Sequence, residues 1–312
     1  MNPNPASVPC ILQIDDRANR WVPIMNAAAT TTKRPVSNLG ELLSYWRGQR
    51  GKSQMTLALE SGVSQRHISF IESGRSVPSR QILMDLAQTL NVPLRERNAL
   101  LLTAGYAPIY SEEPWNAQEM QVVTKAVGRI LRQHEPYPAV VMDRYWNVLT
   151  TNDATQRFFN RFIDLSARKG PRNILHLMFD PDGMRPFIAD WQEVASSLIQ
   201  RIHREAVGRV IDDRTRDLLG ALLAYPEMDA RWTLQSRTPE PSASPVIPIG
   251  FIEGGKTLRY FSMITTIGTP QAAAAEEMRI ECMFAADDAT ETWHTATFGA
   301  PREQDDYPAG NR

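Results

Sequence analysis

Residues 53–75 of the 312-residue chain read SQMTLALESGVSQRHISFIESGR, and few folds can hold that string. Gln54 opens a short helix in which Leu57 and Ala58 point inward, Ala58 being small enough for a second helix to come close. Gly62 falls where that helix must stop, at a place suited to a positive φ that a side chain makes costly. Val63 supplies an apolar plug for the turn, and Ser64 a hydroxyl that caps the next helix. There Ile68 and Ile71 lie three apart and face inward. Gln65, Arg66, Ser69 and Phe70 are left on the outer side, and Arg75 follows the last turn.

The flanks extend this pair into five helices. Leu39, Leu42, Leu43 and Trp46 fall at i, i+3, i+4 and i+7, one apolar stripe of a helix that Gly51 ends. Ser79 caps a fourth, with Ile82, Leu83, Leu86, Ala87 and Leu90 inward, and Asn91, Val92 and Pro93 break it. Leu94 to Ala104 makes a fifth, stopped by Gly105. Two short helices about a tight turn can lay the second in the major groove of double-stranded DNA. Gln and Arg side chains read base edges bidentately, and a following Arg neutralises a phosphate. The candidate DNA contacts are therefore Gln54, Ser64, Gln65, Arg66, Ser69, Phe70 and Arg75. Phe70 has two readings, contact with a thymine methyl or packing against Arg66. Charge agrees with the placement: residues 33–105 carry 10 Lys and Arg against 5 Asp and Glu, whereas residues 106–312 carry 22 against 28.

From Leu39 to Gly105 the chain resembles the Cro/cI-like helix-turn-helix of the xenobiotic-response-element (XRE) family, an all-α, lambda-repressor-like five-helix domain. Gln54, Ala58, Gly62, Val63, Ser64, Ile68, Glu72, Gly74 and Pro78 carry the resemblance. In phage repressors of that family an Arg on the first helix pairs with a Glu ending the recognition helix, and Arg47 and Glu72 match those positions. The resemblance implies a regulator that binds DNA as a homodimer on a two-fold or tandem site.

Beyond a short junction marked by Pro108 and Pro114, the pattern becomes mixed. Residues 117–134 predict a helix with Met120, Val123, Val127, Ile130 and Leu131 on one face. Tyr137–Met142 and Trp146–Thr151 read as strands about a turn at Asp143-Arg144, followed by a helix from Asn152 to Ile163. Residues 184–208 predict one long amphipathic helix, and Arg214–Ala224 another. After the proline-rich loop RTPEPSASPVIP come three β-like runs, Val246–Ile252, Leu258–Ile267 and Arg279–Ala285, the first two joined by a Gly254-Gly255 hairpin turn. Five strands with several helices predict an α+β domain opening like a PAS-like unit.

Four segments of this half, EPYPAVVMDRYWNVLTTN, HLMFDPDGMRPFIADWQEVA, FSMITTIGTP and MRIECMFAADDAT, resemble the ligand-binding domain of MmyB-like regulators. The junction RERNALLLTAGYAPIYSE belongs to the same pattern, so the resemblance runs over about residues 37–292. It implies a bacterial regulator whose PAS-like domain holds a small apolar or fatty-acid-like effector. Where the family commonly has Asn before the long-helix Trp, this chain has Asp190. Tyr137, Trp146, Trp191 and Phe261 are candidate ligand-lining aromatics, and Arg185 a candidate partner for a carboxylate, or for Asp180, Asp182 or Glu193. The competing reading makes this domain a ligand-free dimerisation or protein-interaction module with its aromatics as plain core.

The expected domains are a flexible extension over 1–34, the helix-turn-helix domain over 35–107, the PAS-like domain over 108–295 and a polar tail over 296–312. Cys10 and Cys282 form no CxxC or Cys/His cluster, and the five histidines fit no metal-ligand spacing. No nucleophile elbow, phosphate-binding loop or dinucleotide motif appears, which leaves an enzyme without sequence support and no cofactor expected. The apolar runs are far shorter than a membrane span, and the start lacks a signal-peptide pattern. The expected compartment is the cytoplasm.

Overall fold

The computed structural model describes residues 14–15, 20–21, 38–115, 117–205, 212–228 and 248–299. The chain forms two units, Met1–Ser37 and Asn38–Arg312. In the first, β1 (Ile14–Asp15) pairs antiparallel with β2 (Arg20–Trp21). The other residues of the expected flexible extension, the proline-rich loop up to residue 247 and the polar tail from residue 300 lie outside the described residues.

The second unit begins with the five expected helices: α1 (Leu39–Gln49), α2 (Gln54–Ser61), α3 (Gln65–Glu72), α4 (Arg80–Thr89) and α5 (Leu94–Thr103). Side-chain oxygens of Asn38, Ser53, Ser64 and Ser79 cap the first four, each accepting a backbone N–H from the first turn. Leu43, Leu57, Ile68, Leu83, Leu86 and Leu100 form a core with no exposed surface. Gly62 ends α2 in the left-handed region at φ 72°.

The mixed half is an antiparallel five-stranded sheet in the order β4-β3-β7-β6-β5. Its strands are β3 (Ala139–Met142), β4 (Val148–Thr151), β5 (Ile249–Glu253), β6 (Lys256–Thr265) and β7 (Arg279–Ala285). Gly254 and Gly255 turn the β5–β6 hairpin with φ 56° and 78°, the two positive values that a two-residue turn of this hand needs. Alternation sorts side chains to two faces. Val140, Met142, Phe251, Leu258 and Tyr260 join one large core, whereas Ala139, Val141 and Ile280 join a smaller one with Met120, Val127 and Leu131. The smaller core lies under α6 (Gln121–Gln133) and α11 (Ala273–Glu277). The larger one packs against α7 (Asp153–Phe159), α8 (Ile174–Phe179), α9 (Trp191–Glu205), α10 (Asp213–Leu223) and α12 (Asp288–Phe298).

Several expectations need correction. The long helix begins at Trp191, not 184, and its end beyond Glu205 is outside the described residues. Pro186 has no N–H to continue a helical ladder, Arg185–Phe187 is a single 3-10 turn, and Asp190 is left-handed at φ 52°. Ile188 is drawn into a bridge with Phe251, and the Ala189 N–H donates to the Gly250 carbonyl at 2.9 Å. The apolar spacing read as helix serves an extended edge instead. The helix after Asn152 stops at Phe159, four residues early. Ile130, expected on the inner face of α6, is 36% exposed. Helices α8, α11 and α12 were not expected, and α12 runs past residue 295 to Phe298.

Gly40 sets how closely α1 meets α3. A Cβ there would stand 2.2 Å from the Glu72 carbonyl oxygen, whereas Gly48 on the same helix has open space. Gly40→Ala is expected to destabilise the helical domain by about 2 kcal/mol despite better helix propensity, and Gly48→Ala to be neutral or stabilising. Thermal unfolding of the two variants checks this, and equal midpoints would contradict the close approach.

Candidate functional site

The outer face of α3 carries Gln65 and Arg66 exposed, with Ser69 and Phe70 half-buried beside them and Arg75 exposed just beyond. Ile68 and Ile71 anchor the inner face. The Arg66 and Arg75 guanidiniums each lie 5.3 Å from the centroid of the Phe70 ring. Of the two readings of Phe70, packing with Arg66 is present, and Arg75 joins it.

Gln54 and Ser64 sit within the motif rather than on its outer face. The Gln54 side-chain amide donates to Glu72 Oε2 at 2.7 Å, and the Ser64 hydroxyl accepts the His67 N–H at 3.3 Å. Arg47 closes the same carboxylate from α1, Nε to Oε1 at 2.7 Å and Nη2 to Oε2 at 2.9 Å. Glu72 thus ties three helices together: the pair with Arg47 is the one the resemblance implied, and Gln54 adds the third helix. Other cations of this region serve the fold. Arg50 donates to the Leu90 and Asn91 carbonyls and Lys52 to Thr89, all at the C-terminal end of α4, where the helix dipole favours positive charge.

The junction between helices and sheet is a polar lattice. Asn98, 1% exposed, holds residues 109–112: its oxygen accepts the Ile109 and Tyr110 N–H groups, and its amide donates to the Tyr110 carbonyl and Glu112. Helix α5 has no side-chain cap of its own, and its Leu94 N–H instead donates to Glu276 Oε2 at 2.7 Å. Arg95 forms a two-pronged pair with Glu277, at 2.9 and 3.1 Å, and reaches Glu112 at 2.6 Å. Glu277 also accepts from Arg144 at 3.2 Å, and both side chains are over nine-tenths buried. Arg144 continues to Asp212, the N-cap of α10, which also accepts the Tyr145 hydroxyl at 3.0 Å. Next in sequence, Trp146 is left-handed at φ 67° and 2% exposed, with the Arg201 guanidinium 4.5 Å over its ring. Arg201 is balanced by Glu281 and Glu205.

The candidate ligand aromatics each pack against a different neighbour. Tyr137 stacks on His294 at 4.0 Å and 5°. Trp146 lies under Arg201, and Trp191 packs edge-on against Phe179 with the Arg185 guanidinium 5.3 Å from its ring. These three aromatics belong to the large core. Phe261 stacks on Phe284, its register partner, on the other face of the sheet. Arg185 lies in the 3-10 turn before the long helix rather than at that helix's start. It donates to Glu227 and the Pro226 carbonyl, not to Asp180, Asp182 or Glu193.

The spacing gave no sign of Arg95, Arg144, Glu276 and Glu277 as a connected group, although the junction string contains Arg95, Asn98 and Glu112. His294 was also missed. It is fully buried, accepting from or donating to the Tyr260 hydroxyl through Nδ1 at 2.9 Å and meeting the Pro136 carbonyl through Nε2 at 3.1 Å. The neutral ring with hydrogen on Nε2 satisfies both partners. Burial lowers its pKa to about 4, with Arg157 and His134 adding repulsion. Among the described residues no group of three or more His, Cys, Asp or Glu could hold a metal ion, and no helix is long and apolar enough to cross a membrane.

Two family models match the chain. Residues 123–296 match the MmyB-like transcription regulator ligand binding domain, and residues 43–97 a helix-turn-helix. No curated protein matches. Among solved structures the chain is similar to an RNA-binding light-oxygen-voltage receptor at 9% identity, with a TM-score of 0.24. That alignment covers 83% of this chain and 62% of the receptor chain, so the chain spans less than two thirds of the receptor's length.

Arg66→Ala is expected to weaken binding to a selected DNA site by about 1–3 kcal/mol and flatten base preference at one position, as loss of a bidentate base contact does. Arg75→Ala is expected to weaken binding to all sequences alike and to reduce the salt slope by about one. Titrations on specific and random DNA separate the two, and equal losses for Arg66→Ala would remove it from the base-reading set. A second expectation concerns pH. The depressed pKa of His294 means the unfolded chain takes up a proton that the folded chain refuses between about 6.5 and about 4. Its contribution is complete above about pH 6.5 and falls by about 3 kcal/mol as pH drops to about 4. Denaturant midpoints across that window, for the wild type and His294→Gln, should diverge in slope, and identical slopes would rule the effect out.

Proposed function

Since the chain belongs to the MmyB-like transcription regulators, with their ligand-binding domain over more than half its length behind a helix-turn-helix, we propose that it is a ligand-responsive, sequence-specific DNA-binding regulator of the cytoplasm. In this reading α3 enters the major groove of double-stranded DNA, with Gln65, Arg66 and Ser69 facing bases, Phe70 beside them on the same face and Arg75 at a phosphate. Gln54 and Ser64 stand at the start of their helices, where a backbone phosphate would pass. The chain acts as a homodimer on two half-sites. The PAS-like domain takes a small apolar or fatty-acid-like effector against its aromatic core, near Tyr137, Trp146 and Trp191. Arg185 would exchange the exposed Glu227 for an effector carboxylate.

The observation that carries the regulatory part is the buried carboxylate of Glu277, shared between Arg95 of α5 and Arg144 beside Trp146. A ligand that moves Trp146 moves Arg144, two positions before it, and so disturbs Glu277, the partner of Arg95 in the DNA-binding domain. Such a ligand shifts DNA affinity only by its different affinity for the two arrangements.

In-vitro selection of bound DNA with the full-length protein, repeated with an organic extract of cells, tests the reading. An enriched motif whose affinity changes with extract, together with a small molecule released on denaturation and seen by mass spectrometry, is expected. Glu277→Gln is expected to retain binding to that motif while reducing the extract response several-fold. A motif indifferent to extract, with no released molecule, would favour the ligand-free dimerisation module.

A further inference from the structure

We propose that Phe70 is a specificity-determining positioning residue, whose ring holds the Arg66 and Arg75 guanidiniums in the arrangement that meets DNA. The proposal rests on the reading of α3 as the DNA-contacting helix and says how two of its cations are prepared.

Phe70 stands on the outer side of α3, four residues after Arg66, and it is absent from the core that Leu57, Ile68 and Ile71 build. A large aromatic on a polar face needs another explanation than burial. Its ring draws both guanidiniums to 5.3 Å, a cation–π distance. For Arg66 the i, i+4 helical spacing alone brings the side chains together. For Arg75 the backbone does so. Gly74 takes φ 71°, the chain reverses, and the Arg75 and Ser76 N–H groups both donate to the Phe70 carbonyl, at 2.8 and 3.2 Å. The same residue therefore fixes Arg75 twice, by its carbonyl and by its ring.

Two guanidiniums repel one another, and long arginine side chains ordinarily wander among rotamers. The negative faces of one ring offset the repulsion and order both cations before DNA arrives. Ordering in advance removes an entropic cost from binding and keeps the base-reading cation in register with the phosphate-reading one. The ring acts through its π-face, so apolar bulk alone does not replace it.

The test uses the full-length protein and a DNA site obtained by selection. Phe70→Leu keeps apolar bulk but no ring, whereas Phe70→Tyr keeps the ring. The Tyr variant is expected to bind within about twofold of wild type, and the Leu variant to lose on the order of tenfold on the selected site. The Leu variant's salt slope is expected to become shallower. Combined with Arg66→Ala and Arg75→Ala, Phe70→Leu is expected to cost little more than the two arginine changes alone. An unchanged thermal midpoint shows that the domain folds, and Phe70→Met carries the same comparison if Leu lowers it. Wild-type affinity for the Leu variant overturns the proposal. So does an undiminished loss in the triple variant, which would make the ring itself a base contact such as a thymine methyl. If Arg66→Ala and Arg75→Ala both bind as wild type, the assignment of α3 to DNA falls, and the positioning role with it.

Discussion

A carboxylate buried between two guanidiniums governs how the two halves of the second unit meet. Glu277 costs free energy to desolvate, and that cost is offset only while Arg95 and Arg144 both remain beside it. Removing either leaves a buried charge short of a partner. Attraction between apolar surfaces would tolerate sliding; a two-pronged ion pair fixes angle as well as distance. The placement of α5 against the sheet is therefore specified by charge geometry, and Asn98 repeats that logic on the connecting segment with three hydrogen bonds to backbone groups and one to the Glu112 carboxylate.

The helical domain was largely legible because its determinants are local. Gly62 predicted a left-handed helix end and takes φ 72°, and Ser64 and Ser79 cap the helices they were expected to cap. The match of Arg47 with Glu72 foretold an ion pair that is present. The Gly254-Gly255 hairpin was legible for the same reason, since two adjacent glycines admit few turns.

Where reading failed, the deciding contacts were distant. Residues 184–190 have helical apolar spacing, but Ile188 answers to Phe251, more than sixty positions on, and follows the strand. Arg95 and Glu277 lie 182 positions apart, so no spacing joins them. Phe261 and Trp146 are both aromatics on strand-like runs, and only the parity of the pleat, fixed by pairing with β7, puts Phe261 on the face away from Trp146. Helix α12 had a usable signal in Asp287, which accepts the Thr290 N–H, but only its last three residues fall in the expected tail, and the rest lay at the end of the PAS-like domain with no element assigned.

The borrowed cap on α5 bears on how such a molecule can be dissected. A fragment ending near residue 107 would leave the Leu94 N–H without Glu276, Arg95 without Glu277, and Asn98 without the strand of chain it clasps. Its last helix would fray from both sides. The excised piece is thus a different object from the same residues in the intact chain, and affinities measured on it describe neither the liganded nor the unliganded regulator. The fifth helix is common property of the helix-turn-helix and the ligand-binding domain, and the boundary between them runs through it lengthwise rather than across the chain.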